Sequence, residues 1–372
     1  MNTYFNAASK LSAAPVLGAI LLIAGCATQA PPNHSADLDF QAPSAYRSEH
    51  DKAPFWKEGW IQDLKDPLLP GIIQEALAHN YNLIAAEGRL EAAQATAVIQ
   101  GSGRYPTLNL STNGNRSQRN NTGGLVITSN RSKTFQLTGR TSWELDIWGR
   151  VRDQASAGLA DYQASVEDYR AARFSLAANV ARSWYRAITS ALQLEISVQS
   201  LETFESNLVI IEENFKRGIA RALDLHLMRA NVANSRSDYE GRLRIHEADR
   251  RALETLLGRY PANEIAIAKE LPEIKKSIPV GLPDELLNRR PDIRAAERRL
   301  AADSVNIKAA KKAMLPGIDL NGSYGTSTRE YDLLLDDRFK VWSYGYNISL
   351  PVFQGGRLQA TKDRTEAQYK QS

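Results

Sequence analysis

The chain has 372 residues, with 46 Lys and Arg against 42 Asp and Glu, a net charge of +4 and a mean hydropathy of −0.39. So slight an excess of base, with no basic run interleaved with aromatics, excludes nucleic acid as a partner. Beyond residue 24 no run of about 18 apolar residues occurs, so no transmembrane helix is expected, although strands could still cross a bilayer.

Near the N-terminus, Lys10 precedes an apolar run, Leu11–Ala24, that ends in small residues. This pattern predicts a secretory leader over residues 1–25, outside the fold. Cys26, the sole cysteine, follows Ile23-Ala24-Gly25 directly. It has no second cysteine for a disulfide and no neighbouring ligands for a metal. Its position resembles a bacterial lipobox, which implies lipidation of Cys26. Residues 26–66 read as a lipidated N-terminal tether, because Ala27–Pro54 is rich in Pro, Ser, Asn and Asp.

Residues 67–258 are read as the first of two repeats. Asn80–Pro106 recurs without a gap as Arg290–Pro316, 210 positions later. Ala85, Ala86, Glu87, Arg89, Leu90, Ala92 and Pro106 match Ala295, Ala296, Glu297, Arg299, Leu300, Ala302 and Pro316. A segment written twice means one unit used twice. Each copy predicts a helix that ends before its proline. After Pro106, Leu108 and Leu110 alternate with Asn109 and Ser111, and a polar loop is expected over Arg116–Ser132. Phe135, Leu137, Gly139, Thr141, Trp143, Leu145 and Ile147 then alternate with polar residues, the period of a sheet with one apolar side. The strand pair is placed at 105–148.

A long helical hairpin is placed at 150–257. No Gly or Pro lies between Gly158 and Gly218. An apolar stripe runs from Val151 through Leu176, Val180, Trp184 and Ile188 to Phe215 and Ile219. Its steps of three and four average about 3.6 residues, as a helix requires, and predict a rod roughly 100 Å long. Gly218 can end that helix. Periodicity resumes at Leu223 and continues to Leu257, so the turn falls near residues 218–222. A linker, 259–289, leads to the second repeat, 290–372. There Ile318, Leu320, Gly322, Tyr324 and Thr326 share one face, Ser327–Arg338 is a loop, and Trp342, Tyr344, Tyr346, Ile348 and Leu350 share the next. This strand pair is placed at 316–353, followed by the start of a last long helix.

A soluble hairpin lying on a core would show the same alternation. The aromatics on both apolar faces, the export signal, and segments of about 9–11 residues favour strands that span a bilayer. Four strands cannot close a barrel, which needs about eight, and lipid does not tolerate an open edge. Membrane strands would therefore require several chains to share one barrel.

Leu286-Leu287-Asn288-Arg289-Arg290-Pro291-Asp292-Ile293, running into Ala296-Glu297-Arg298-Arg299-Leu300, resembles the signature of the NodT-type lipoprotein branch of the TolC-like outer-membrane efflux family. Trp143–Arg150 resembles its strand-to-helix junction and Phe215–Ala230 its hairpin turn. The likeness covers roughly residues 60–372. It implies a fold that is mainly α with a membrane β part. Long helical hairpins would be internally duplicated, and four strands per chain would contribute to a shared trimeric β-barrel above a periplasmic α-helical tube. The function implied is that of an outer-membrane channel subunit of a tripartite efflux system, passively conducting drugs or other small solutes. The protein would be lipid-anchored in the bacterial outer membrane and extend into the periplasm.

The partners implied are a homotrimer, a periplasmic membrane-fusion adaptor, an inner-membrane RND pump and outer-membrane lipid. The adaptor-docking tip would be Arg217, Gly218, Ile219, Arg221, Leu223 and Asp224. The signature residues are Arg289, Arg290, Pro291, Asp292, Ile293 and Glu297. No cofactor, metal or catalytic residue is implied. An outer-membrane channel for type I protein secretion is an alternative within the family. A periplasmic lipoprotein scaffold is the alternative of another class, and heat-modifiable migration with outer-membrane fractionation separates it from a channel. An enzyme is disfavoured: His34, His50, His79, His226 and His246 are scattered without metal-ligand spacing, and there is no nucleophile elbow or phosphate-binding glycine loop. The first repeat continues from Arg150 to Gly258, whereas only residues up to Ser372 follow Arg357. The second long hairpin and its gate residues are therefore expected to be missing, and the chain as written is expected not to seal a tube. Stable, trimer-sized conductance in planar bilayers would overturn that expectation.

Overall fold

The computed structural model describes residues 61, 64–123, 126–272 and 289–372, with backbone only for 121–123 and 126–128. Its helices are α1 (Leu69–His79), α2 (Tyr81–Ser102), α3 (Arg150–Lys216), α4 (Ala222–Leu256), α5 (Pro291–Lys312) and α6 (Arg357–Gln371). Its strands are β1 (Thr107–Gly123), β2 (Val126–Glu144), β3 (Gly317–Thr328) and β4 (Lys340–Ser349), in one antiparallel sheet ordered β1-β2-β3-β4. Among the described residues no helix is long and apolar enough to cross a membrane.

Three expectations are corrected. The helix opening the first repeat is two helices. Asn80 interrupts them, with its side-chain oxygen accepting from the Leu83 N–H at 3.1 Å and its amide donating to the Leu256 carbonyl at 2.9 Å. The expected loop Arg116–Ser132 is mostly strand: β1 and β2 stay paired out to Gly123 and Val126. Over Arg116–Asn120 and Ser129–Ser132 the residues are polar on both faces, so the alternation fades while the backbone ladder, indifferent to side-chain type, continues. The expected loop Ser327–Arg338 begins inside β3, which runs to Thr328, and it holds two short 3₁₀ turns, Tyr331–Leu333 and Asp337–Phe339.

The chain divides into two compact units. One contains Val98–Ala160 and Ala301–Ser372; the other contains the stretch up to Ala97 and Asp161–Leu300.

The first unit holds the sheet. In an antiparallel ladder, directly opposed residues point to the same side. The register therefore decides whether apolar faces read one strand at a time join. Leu110 faces Gly139, Gly139 faces Tyr324 and Tyr324 faces Trp342; Trp143 faces Leu320 and Leu320 faces Tyr346. The apolar side is thus continuous across all four strands. Asn109, Arg140, Ser323 and Ser343 lie along the other side by the same register.

The segment Trp143–Arg150 turns the chain from sheet to helix. Both Oδ atoms of Asp146 cap α3, accepting from the Val151 and Arg152 N–H groups at 3.0 and 2.8 Å. This satisfies donors that a helix start leaves open. Arg150 pairs with Glu144 at 2.5 Å. The Trp143 indole donates to the Arg104 carbonyl at 3.1 Å and the Trp148 indole to the Pro316 carbonyl at 2.8 Å. Both helix-to-strand junctions are therefore tied to this one corner. Beside it, Lys312 pairs with Asp153 at 2.6 Å, and Ala157, Ala160, Ala302 and Val305 form a small-residue core between α3 and α5.

The second unit is centred on Trp184, with Leu69, Ile73 and Ala76 from α1, Leu83 from α2, Leu176, Val180 and Ile188 from α3, Leu253 from α4 and Leu257 at its C-cap. Asp66 starts α1: one oxygen accepts from the Leu68 and Leu69 N–H groups at 2.9 and 3.2 Å, and the other accepts from the Trp184 indole at 2.7 Å. Burial, and then the neighbouring Asp66 carboxylate, push the Tyr185 phenol up to about 12.

Past the end of α4 the chain turns back over the buried Glu254 carboxylate. That carboxylate accepts from the N–H groups of Asn263, Glu264 and Ile265 at 2.7, 2.6 and 2.9 Å. Burial alone would raise its pKa, but the three donors and the Arg250 charge more than offset this and lower it. A lowered folded pKa contributes stability above the unfolded carboxylate value, and that stability is lost as pH falls through the folded value. Glu254→Gln is expected to cost about 1–3 kcal/mol near neutrality. The gap in melting temperature between this variant and the parent should narrow once pH falls below about 4.3, the unperturbed glutamate pKa. A gap that stays constant from pH 7 to pH 3 would refute the assignment.

Candidate functional site

The sequence-predicted positions fall in three places, none of which is an enclosed catalytic pocket. Cys26 lies outside the described residues, as do Leu286, Leu287 and Asn288.

The turn between α3 and α4 is closed by its own backbone. Gly218 adopts φ 76°, a left-handed conformation that costs glycine least. The Gly218 N–H donates to the Phe215 carbonyl at 2.9 Å, and the Ile219 N–H to the Asn214 carbonyl at 2.8 Å. These two bonds make a complete Schellman motif. On the far side, the Asp224 carboxylate accepts from the Arg221 N–H at 3.2 Å and from its guanidinium. That guanidinium contact is the main reason the Asp224 pKa lies below the usual carboxylate value. Arg217 carries the last helical carbonyl bond, from its N–H to Glu213 at 3.1 Å. The Schellman motif commonly folds its following apolar residue back onto the helix. Here Ile219 is instead 73% exposed, and Leu223, four residues on, is 60% exposed. The stripe on α3 is at least half-buried from Val151 to Ile211 and emerges only at Phe215 and Ile219.

The signature residues start α5. Pro291 is its first residue, where a missing N–H costs nothing. Arg290 holds Asp292 by two hydrogen bonds, at 3.1 and 2.6 Å. Ile293 is half-buried and Ala295 fully buried. Glu297 pairs with Arg298 at 3.3 Å. Arg289 also makes a polar or charged interaction. Sequence reasoning missed what α5 docks against. Arg294 bonds the buried Glu167 of α3 at 2.8 Å, and Arg299 pairs with Asp168. Glu167 also takes Arg170 at 2.7 Å. The available signal was a pair of adjacent acids, Glu167 and Asp168, on the polar flank of the stripe. These contacts, from Arg294 and Arg299, dock α5 on α3.

The third place is the apolar side of the sheet. It is largely uncovered, with Leu108 80% and Tyr344 83% exposed. Trp342 and Tyr344 stack with centroids 5.7 Å apart. Phe135 meets Tyr331 edge-on at 5.7 Å. Both outer edges, on β1 and β4, lack a strand partner among the described residues. An exposed apolar face with aromatics and two free edges is unsuited to water.

The family model described as outer membrane efflux protein matches residues 72–259 and 282–372. The chain belongs to the outer membrane efflux protein family. It is 34% identical over 312 residues to outer membrane protein OprJ of Pseudomonas aeruginosa, a match covering 83% of this chain and 65% of that protein. It is 31% identical over 317 residues to the toluene efflux pump outer membrane protein TtgC of Pseudomonas putida, covering 84% of this chain and 65% of TtgC. The chain thus spans a little under two thirds of the length of these two relatives. A solved membrane protein from Pseudomonas aeruginosa superposes with a TM-score of 0.79 at 32% identity, covering 93% of this chain and 78% of that one. The family's description as outer membrane efflux protein is consistent with a sheet whose apolar side is uncovered, in a chain where no helix among the described residues is long and apolar enough to cross a membrane.

Proposed function

We propose that this protein is the outer-membrane channel subunit of a tripartite efflux system, passively conducting drugs or other small solutes outward. The observation that carries the reading is the apolar side continuous across four strands with both edges unpaired. Such a sheet is stable in lipid only if its edges are closed by further copies. Three copies supply twelve strands, enough for a barrel with a lumen. The Asn109, Arg140, Ser323 and Ser343 side would then line water. The matching 22-residue lengths of α2 and α5, with strands starting at Thr107 and Gly317, support an internal duplication with repeats at 67–258 and 290–372. The long hairpin α3–α4 would contribute to a periplasmic tube, lipidated Cys26 at the end of a 1–25 leader would anchor the 26–66 tether, and 259–289 would link the repeats. Ile219 and Leu223 at the turn, flanked by Arg217, Gly218, Arg221 and Asp224, would meet the membrane-fusion adaptor that leads to an RND pump.

The test introduces single cysteines along the free edges, Asn109–Asn113 on β1 and Ser343–Asn347 on β4, and oxidises membranes in pairwise combinations. A covalent product of three chains that fractionates with the outer membrane is expected. Adding Ile219→Asp with Leu223→Asp should reduce capture by an adaptor at least about tenfold, since each buried apolar side chain contributes about 1.5–3 kcal/mol. The cross-linked trimer should persist in that variant. Products limited to single chains, or a soluble periplasmic protein, would overturn the reading.

A further inference from the structure

Between Thr107 and Trp143 the chain contains no acidic residue but carries Arg116, Arg119, Arg131, Lys133 and Arg140. The register sorts these bases onto two sides. Arg116 stands directly opposite Lys133, and the next pair outward on that side is Gln118 with Arg131. All three bases continue the apolar side, beyond Leu108 and Leu110 of β1 and Leu137 of β2. Arg119 and Arg140 lie on the polar side.

Like charges directly opposed across a ladder are destabilising, and their Cβ atoms stand about 5 Å apart. Among the described residues none of the three forms an ion pair with a carboxylate. Of the acids in the β3–β4 connection, Glu330, Asp332, Asp336 and Asp337, none pairs with these bases, and the last two are paired with Arg338 and Lys340. The Arg131 Nε donates to the Gln118 Oε1 at 3.0 Å, which fixes the plane of its guanidinium and leaves its terminal nitrogens without a protein partner among the described residues. All three bases are exposed.

Their height along the strand narrows the choice of ligand. Arg116 lies eight residues beyond Leu108, about 27 Å along the strand at 3.4 Å per residue. A strand tilted by about 40° brings that to roughly 20 Å of height, close to the apolar band of a membrane barrel. Directly beneath the bases, the Phe135 ring packs over Gly114, where an added Cβ would lie 3.1 Å from it, and against Tyr331. Aromatics followed by Lys and Arg are the order in which side chains meet a membrane–water boundary.

We propose that Arg116, Arg131 and Lys133 form a binding site for the phosphomonoester headgroup of a membrane lipid, on the lipid-facing side of the β1–β2 hairpin at the boundary of the apolar band. An Arg fork donates to two phosphate oxygens at once, and the opposed Arg116–Lys133 pair is relieved by a dianion. The proposal rests on the membrane reading of the sheet given above, and the experiment separates the two.

The full chain is reconstituted in phosphatidylcholine vesicles and extracted with carbonate, and its association with phosphatidic acid is compared with that of phosphatidylcholine by native mass spectrometry from a neutral detergent. Retention in vesicles and at least about a tenfold preference for phosphatidic acid are expected from three bases at a membrane surface. Arg116→Ser with Arg131→Gln and Lys133→Ser should abolish the preference. Arg119→Gln with Arg140→Gln, which removes charge from the other side, should leave it intact. Retention without any preference overturns the headgroup site alone; carbonate extraction from vesicles overturns both it and the membrane reading. Equal loss of preference in both variant sets, or full displacement of the lipid by millimolar inorganic phosphate, overturns the site as a lipid site.

Discussion

Trp184→Ala is expected to destabilise the helical unit by about 3–5 kcal/mol, the range for emptying a large aromatic site in a packed core. Trp184 is fully buried in a cluster drawn from α1, α2, α3 and α4, so its removal opens a cavity within that core. A second loss adds to the cavity. The indole is the partner of one Asp66 oxygen, and Asp66 is itself 92% buried. Without that donor a buried carboxylate oxygen is stranded, at a further cost of about 1–3 kcal/mol. Thermal unfolding of the full chain followed by circular dichroism reads the sum, and protease sensitivity around α1 locates it. Trp184→Phe keeps most of the volume and loses only the N–H, so its cost should be close to the second figure alone. Near-equal costs for the two variants would place the energy in the hydrogen bond instead of the packing.

Gly325→Val is expected to detach one half of the sheet from the other. A Cβ at Gly325 would lie 2.0 Å from the Leu137 carbonyl oxygen and 2.8 Å from the Thr138 Cα, both backbone atoms that cannot rotate away. Gly325 sits in the β2–β3 ladder, opposite Thr138. That ladder, from Phe135↔Thr328 to Glu144↔Asp319, is the strand pairing that joins hairpin β1–β2 to hairpin β3–β4. Overpacking against fixed backbone costs about 3 kcal/mol or more. On the proposed shared barrel, the expected readout is loss of heat-modifiable migration on electrophoresis. Gly345→Val is the control, because an added Cβ there meets nothing within 4 Å on the neighbouring strand β4. Normal heat-modifiable migration of the Gly325 variant would contradict the close approach.

The parts of the fold that were legible in the sequence share one property: water or lipid contrast repeats along them. The strand faces around Trp143 and Tyr344 alternate because one side is apolar and the other polar, and the register joins those faces as read. The stripe through Val180, Trp184 and Ile188 repeats at helical spacing because one flank is buried. Where the contrast vanishes the reading failed. Asn115–Asn120 is polar on both sides, so nothing in it distinguishes a strand from a loop, and it is held by the backbone ladder together with the Ser117–Ser132 and Gln118–Arg131 side-chain contacts. The Asn80 break was hidden because both flanking helices carry similar apolar spacing. Glu167 and Glu254 were missed for another reason: their partners, Arg294 in one case and the Asn263–Ile265 N–H groups in the other, come together only through tertiary contact.

The Schellman closure at Gly218 bears on how fast and how reversibly anything could bind at that turn. Its two backbone bonds and the Arg221–Asp224 clamp hold the loop without help from outside. A segment ordered in advance loses little conformational freedom on contact. In the proposed docking role, Ile219 and Leu223 would therefore act as pre-ordered apolar studs whose capture is set mainly by the water they release. Association of that kind tolerates repeated engagement and release without any refolding of the turn.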